Sequence, residues 1–118
     1  MILADTSIWV DHFRQGNDEL QRSLRDGSML MHPFVLGEIA CGNLKRRTEV
    51  LSDLMQLPPP TCAENGEVLA FVEDQHLFGT GLSWIDAHLL ASARLSGCRL
   101  WTLDVSLQRA ATRLKLGS

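Results

Sequence analysis

Short apolar runs alternate with helix-patterned stretches along this chain, and two of those runs lead directly into an aspartate. Met1-Ile2-Leu3-Ala4 precedes Asp5, and Leu100-Trp101-Thr102-Leu103 precedes Asp104. The pattern predicts strands at residues 1–4, 28–31 and 99–103, with a weaker one near Thr61 and Cys62. Helical spacing fills the intervals. It covers a first turn or two at residues 7–13, a helix capped by Asn17 and stopped by Gly27, and one opened by Pro33. Further helices are expected at residues 44–55, 67–77, 83–95 and 105–114. Val68, Leu69, Val72 and His76 would line the buried side of the 67–77 helix. Pro58-Pro59-Pro60 breaks the chain firmly. Strands separated by helices argue a parallel sheet covered on both faces. In such sheets chemistry gathers at the carboxyl ends of the strands, which is where Asp5 and Asp104 fall.

The 118 residues suit one domain, residues 1–118, with one core. No apolar stretch approaches the roughly 20 residues that span a bilayer. The N-terminus has no basic segment, and Asp5 interrupts its apolar run early, so a cytoplasmic protein with no membrane contact is expected. Cys41, Cys62 and Cys98 are odd in number and widely spaced, which suits neither a disulfide framework nor a zinc site. They are expected to pack as small apolar residues. A net charge of -3 argues against a general nucleic-acid binder. It leaves room for a nuclease, whose acidic ligands lower the sum.

Four acids stand in apolar surroundings: Asp5, Glu38, Asp86 and Asp104. Each has a local explanation. Asp5 and Asp104 are placed to cap the helices that follow them. Ser83 and Asp86 have the spacing of a capping box. Glu38 shares a helix face with Phe34 and Cys41 and has no basic residue within a turn, yet a surface glutamate is possible there. Taken together, the alternating architecture directs all four toward one sheet edge. Like charges that converge there require a compensating cation. An oxygen-only donor set suits Mg²⁺ or Mn²⁺ rather than Zn²⁺, and such a site supports hydrolysis of a phosphodiester. Thr6, Ser7 and Thr102 lie beside the acids and can orient them, or can satisfy local turns.

The histidines do not show ligand spacing; His12, His32 and His76 are expected to be partly buried or on the surface. Trp9, Trp84 and Trp101 are expected in the core. Lys45-Arg46-Arg47 and Arg14 are candidates for holding RNA phosphates. Lys45 and Glu49 also lie one helical turn apart, as a solvated surface pair would.

These pieces, Ala4-Asp5-Thr6-Ser7, residues 32–38, residues 84–91 and residues 100–104, resemble in order and spacing a PIN-domain ribonuclease of the VapC type, the toxin of a bacterial toxin–antitoxin pair. The resemblance implies a three-layer α/β/α fold with a central, mostly parallel sheet. It implies a Mg²⁺- or Mn²⁺-dependent endoribonuclease, with Asp5, Asp86 and Asp104 on the metal and Glu38 acting through water. It also implies a homodimer and a small VapB-type antitoxin whose C-terminal segment lies over the active site, in a toxin–antitoxin hetero-oligomer. The chain stops soon after Leu116, leaving little room for a final strand. Two other readings stand beside this one. One is a non-catalytic module that keeps the fold and the partner surface. The other is an aspartyl-phosphate phosphatase, which usually has a second acid where Ser7 stands.

Overall fold

The first strand, β1 (Ile2–Ala4), is the centre of the sheet. In the computed structural model, which describes residues 1–117, β1 pairs in parallel with both other strands, β2 (Met29–Leu30) and β3 (Arg99–Trp101). The order is β2-β1-β3. Ile2 and Leu3 stand opposite Met29 and Leu30 on one side, and Ile2, Leu3 and Ala4 opposite Arg99, Leu100 and Trp101 on the other. Successive residues of a strand point to opposite faces, yet Leu3 and Ala4 are both 0% exposed. Both faces of the sheet are therefore covered, as the alternation predicted.

Seven helices among the described residues provide the cover: α1 (Thr6–Gln15), α2 (Asp18–Arg25), α3 (Pro33–Cys41), α4 (Arg47–Leu54), α5 (Asn65–Asp74), α6 (Trp84–Ser96) and α7 (Val105–Arg113). Local chemistry sets most of their ends. Asn17 accepts from the Leu20 N–H and caps α2. Pro33 occupies the first turn of α3. Gly97, at φ 63°, takes the left-handed conformation that ends α6. The core joins Leu3, Ile8, Trp9 and Leu20 to Val35, Leu89, Leu90 and Leu107. Ala63, Val68, Ala87 and Ala91 form a smaller cluster between α5 and α6.

The structure corrects several expectations. No helix spans residues 44–55: α3 ends at Gly42, Arg46 adopts a left-handed φ of 53°, and α4 starts only at Arg47. The Arg47 guanidinium donates to the carbonyls of Ala40 and Gly42. That contact satisfies the end of α3 and turns the chain. No strand forms at Thr61 and Cys62. The Thr61 and Ala63 N–H groups donate instead to the hydroxyls of Ser96 (2.8 Å) and Ser92 (3.1 Å) on α6, so side chains replace the ladder. The helix expected at 67–77 runs from Asn65 to Asp74: on it Val68 is buried and Leu69 exposed, and His76 lies past its end, also exposed. Cys98 is buried, whereas Cys41 and Cys62 are exposed. Trp9 is buried and Trp101 half-buried, but Trp84 is exposed. The edge beside β3 is partly satisfied, because the Leu100 N–H donates to the Leu116 carbonyl at 2.7 Å.

Ser92 is fully buried and its Oγ is the acceptor for the Ala63 N–H. Ser92→Ala leaves that buried donor without a partner, which costs about 1–3 kcal/mol. Urea denaturation should show a lower midpoint at an unchanged slope; equal midpoints would deny the hydroxyl this role.

Candidate active site

Asp5 sits where β1 passes into α1. Its N–H donates to the Trp101 carbonyl at 3.0 Å, which continues the β1–β3 ladder by one rung and fixes the residue at the carboxyl ends of both strands. The carboxylate is buried. It accepts from Ser7 Oγ and Thr102 Oγ1, each at 2.5 Å, and from the Ile8 N–H at 3.4 Å, the contact that caps α1. No Lys, Arg or His among the described residues forms an ion pair with it. Burial pushes its carboxyl above the usual carboxylate value, against the opposing pull of hydrogen bonds from Ser7, Thr102 and Ile8.

Two hydroxyls tie the neighbouring acid to this centre. Thr102 Oγ1 also accepts from the Asp104 N–H at 3.0 Å, and Ser7 Oγ accepts from the Leu103 N–H at 3.0 Å. Asp104 is exposed and caps α7 by accepting from the Leu107 N–H at 3.0 Å. Glu38, exposed on α3, accepts from Thr6 Oγ1 at 2.6 Å. Asp86, half-buried in the first turn of α6, accepts from the Ser83 N–H at 3.1 Å, while Ser83 Oγ accepts from the Asp86 N–H at 3.0 Å. The capping roles foreseen for Asp5, Asp86 and Asp104 are thus all realised. Caps on Asp86 and Asp104 engage only Oδ2, so capping leaves each an oxygen for other use.

Asp5 and Asp104 are therefore brought together through Thr102, and Glu38 is held one residue away by Thr6. Asp86 is joined to the other three by no hydrogen bond. Its neighbours Ile85 and Trp84 share with Glu38, Phe34 and Cys41 a cavity of about 630 Å³ between α3 and α6. As the side chains stand, no three His, Cys, Asp or Glu among the described residues gather closely enough to ligate one ion. The donor chemistry nevertheless fits a hard divalent cation: the donors are all oxygen, and the buried Asp5 charge has no cationic partner.

The contact between α3 and α6 is built from a group that the sequence did not single out. His32 is 2% exposed, and its Nδ1 accepts from the Phe34 N–H at 2.9 Å, capping α3. That bond leaves the proton of the neutral ring on Nε2. The Phe34 ring lies 4.7 Å from that of His88, and Trp84 packs on His88 from the other side, also at 4.7 Å. Burial, and secondarily His88, lowers the His32 pKa from 6.5 to about 4; burial lowers that of His88 as well. The signal in the sequence was the pairing of His32-Pro33 at a helix start with a histidine in the apolar stretch of α6.

The basic candidates divide. Arg14 and Lys45 line a groove of about 650 Å³ with Glu38, Val10, Phe13 and Ile39. Arg46 instead forms a forked pair with Glu49 at 2.7 Å, displacing the pairing expected of Lys45. Arg47 is committed to the end of α3.

Comparison with known sequences shows the family. The family model described as "PIN domain" covers residues 2–113. This chain belongs to the PIN-domain family. The "Ribonuclease VapC32" proteins of Mycobacterium tuberculosis, from strains CDC 1551 / Oshkosh and ATCC 25618 / H37Rv, are each 41% identical to it over 111 residues. The alignment takes in 93% of this chain and 90% of each relative. The match to the PIN domain encloses Asp5, Glu38, Asp86 and Asp104, and the α/β architecture foreseen from the alternating pattern is the PIN fold.

Proposed function

We propose that this PIN domain is a metal-dependent endoribonuclease and the toxin of a toxin–antitoxin pair. The observation that carries the reading is Asp5. It is a buried, uncompensated carboxylate at a strand end, gripped by two hydroxyls, in a chain similar throughout to ribonucleases. Asp5, Asp86 and Asp104 would hold Mg²⁺ or Mn²⁺, with Glu38 reaching it through water. The cation, when bound, lowers the pKa of water and neutralises charge on the phosphoryl oxygens. Ser7 and Thr102 fix the Asp5 oxygens, so that little reorganisation is needed when the cation arrives. Thr6 keeps Glu38 extended toward the same strand ends. Arg14 and Lys45, sharing a groove with Glu38, supply positive charge for RNA phosphates.

The partner reading follows the same surface. The groove beside Glu38 is walled by Val10, Phe13, Ile39 and Leu44, which suits an amphipathic peptide from a small VapB-type antitoxin covering the acids. A homodimer, a toxin–antitoxin hetero-oligomer and a cytoplasmic location belong to this proposal. Among the described residues no helix is long and apolar enough to cross a membrane.

A non-catalytic binding module is favoured by one observation, that three of the acids are occupied as helix caps. Incubating purified protein with single-stranded RNA separates the two. Cleavage should appear with millimolar Mg²⁺ or Mn²⁺ and vanish with excess EDTA. Glu38→Gln should lower the rate about 10- to 100-fold, as removal of a group acting beside a metal does. Cleavage indifferent to EDTA would reject the metal, and intact RNA under every condition would leave the binding module standing. The phosphatase reading loses support, because Ser7 is bonded to Asp5 where a second acid would be needed.

A further inference from the structure

A second basic surface, sharing no residue with the groove of Arg14 and Lys45, runs along α7. Arg109 and Arg113 stand one helical turn apart and line a groove of about 330 Å³ with Ser106, Ala110, Leu77 and Thr80. Arg113 donates to the Gln75 carbonyl at 2.6 Å, which holds its guanidinium against the segment that follows α5. Arg109 has no ion pair or hydrogen bond to any described residue, and it also lines the adjoining surface with Val105, Gln108 and Thr112.

The opposite wall is a loop fixed in place by its backbone. His76, Gly79 and Gly81 all have positive φ, at 54°, 70° and 84°. A Cβ on Gly81 would lie 3.3 Å from Ser106 Oγ, so the loop rests directly on α7. The same loop carries Phe78, which is 56% exposed and whose ring lies 5.8 Å from that of His76. A free guanidinium, a second one held in place and the Ser106 hydroxyl line the groove, Thr80 Oγ1 is spent on the Leu77 carbonyl, and the exposed Phe78 ring stands on the loop that forms the opposite wall. Positive charge to track a backbone, combined with an aromatic face to stack a base, is the combination that binds single-stranded nucleic acid. The helix that carries both arginines begins at its cap, Asp104. With a rise of 1.5 Å per residue, Arg109 and Arg113 lie roughly 7.5 and 13.5 Å along the helix from that acid, within reach of the nucleotides that follow a phosphate held there.

We propose that the groove between α7 and the 75–81 loop binds the RNA strand on one side of the cleavage point. Arg109 and Arg113 take phosphates, Ser106 donates a hydrogen bond, and Phe78 stacks a base. This rests on the ribonuclease reading but not on metal binding or cleavage, because the site lies outside the four acids.

The test measures binding without cleavage. A fluorescently labelled single-stranded RNA of about 12 nucleotides is titrated with the Asp5→Asn protein, and anisotropy is followed at several salt concentrations. The same background then carries Arg109→Ala, Phe78→Ala or, as a charge control on α2, Arg25→Ala. Arg109→Ala should weaken binding about 5- to 10-fold near 0.1 M salt. It should also reduce the slope of log K against log salt by about 0.7, the value for one phosphate contact on a single strand. Phe78→Ala should weaken binding by about 5-fold or more, with the slope unchanged. Arg25→Ala should do neither. If Arg109→Ala matches Arg25→Ala while the RNA still binds, this groove is not the site and the ribonuclease reading survives. If the RNA does not bind the Asp5→Asn protein at all, both proposals fall. Equal loss on an acidic peptide of the same charge, with no effect of Phe78→Ala, would assign the groove to a protein partner and overturn the proposal.

Discussion

Replacing Asp5 by asparagine should abolish RNA cleavage and, in the absence of divalent cations, make the protein harder to unfold. The two effects have one origin. The Asp5 carboxylate is 7% exposed and has no ion-pair partner among the described residues, and burial raises its pKa. A group whose folded pKa lies above its unfolded value favours the fold while protonated, and that contribution disappears as pH rises through the folded pKa. At neutral pH the ionised side chain therefore strains the metal-free fold. Asparagine keeps an oxygen to accept from Ser7 Oγ or the Ile8 N–H and carries no charge. The melting temperature of the EDTA-treated variant should exceed that of the wild type, and the gap should shrink as pH falls through the raised pKa of wild-type Asp5. Millimolar Mg²⁺ should reverse the order, stabilising the wild type by mass action and leaving the variant unmoved. On activity, losing a charge that supports several kcal/mol of transition-state stabilisation should cost about 10³-fold or more. Cleavage within tenfold of wild type, in protein freed of contaminating nuclease, would remove Asp5 from the site. A lower melting temperature without metal would show instead that its hydrogen bonds outweigh its burial.

Acid should destabilise the molecule through His32. Its pKa falls from 6.5 in the unfolded chain to about 4 in the fold, so between those values the unfolded state binds the extra proton. Stability contributed by the neutral ring is complete above pH 6.5 and declines as pH drops toward 4. At 1.36 kcal/mol per pKa unit the full loss is about 3 kcal/mol. His88, lowered in the same direction, adds to it. Asp5 opposes it, because its raised pKa favours the fold on protonation. His32→Asn isolates the effect: its side-chain oxygen can still cap α3 and it cannot titrate in this range. Chemical denaturation at pH 7, 5.5 and 4.5 should show the wild type losing stability faster than the variant. Parallel curves would mean that His32 is charged in the fold.

Both experiments probe residues that the sequence revealed unequally. The parallel sheet was legible because local chemistry carried it: apolar runs that end in aspartate, the Asn17 cap, Pro33 at a helix start and Gly97 at a helix stop. The positions of Asp5 and Asp104 after β1 and β3 were legible for the same reason. The contacts that align those acids were not. Thr6 meets Glu38 across 32 positions, and Thr102 meets Asp5 across 97; no local pattern encodes such pairs. Burial of His32 depends on α6 packing against α3. The chain at 61–63 read as a weak strand because it is extended, but its partners proved to be serines on a helix rather than another strand. Lys45-Arg46-Arg47 read as one basic patch, whereas the turn after Gly42 sends its three side chains to three different destinations.

The Thr102 hydroxyl accepts from one acid's backbone and donates to another acid's side chain, and Asp5 waits 97 positions for it. During synthesis the central strand leaves the ribosome well before β3, and the hydroxyl that locks Asp5 follows that acid by 97 residues. A nascent chain cut short before residue 102 has an open sheet edge and an unclamped aspartate, however complete its helices. The order of translation thus delays assembly of the acidic centre until β3 has been made.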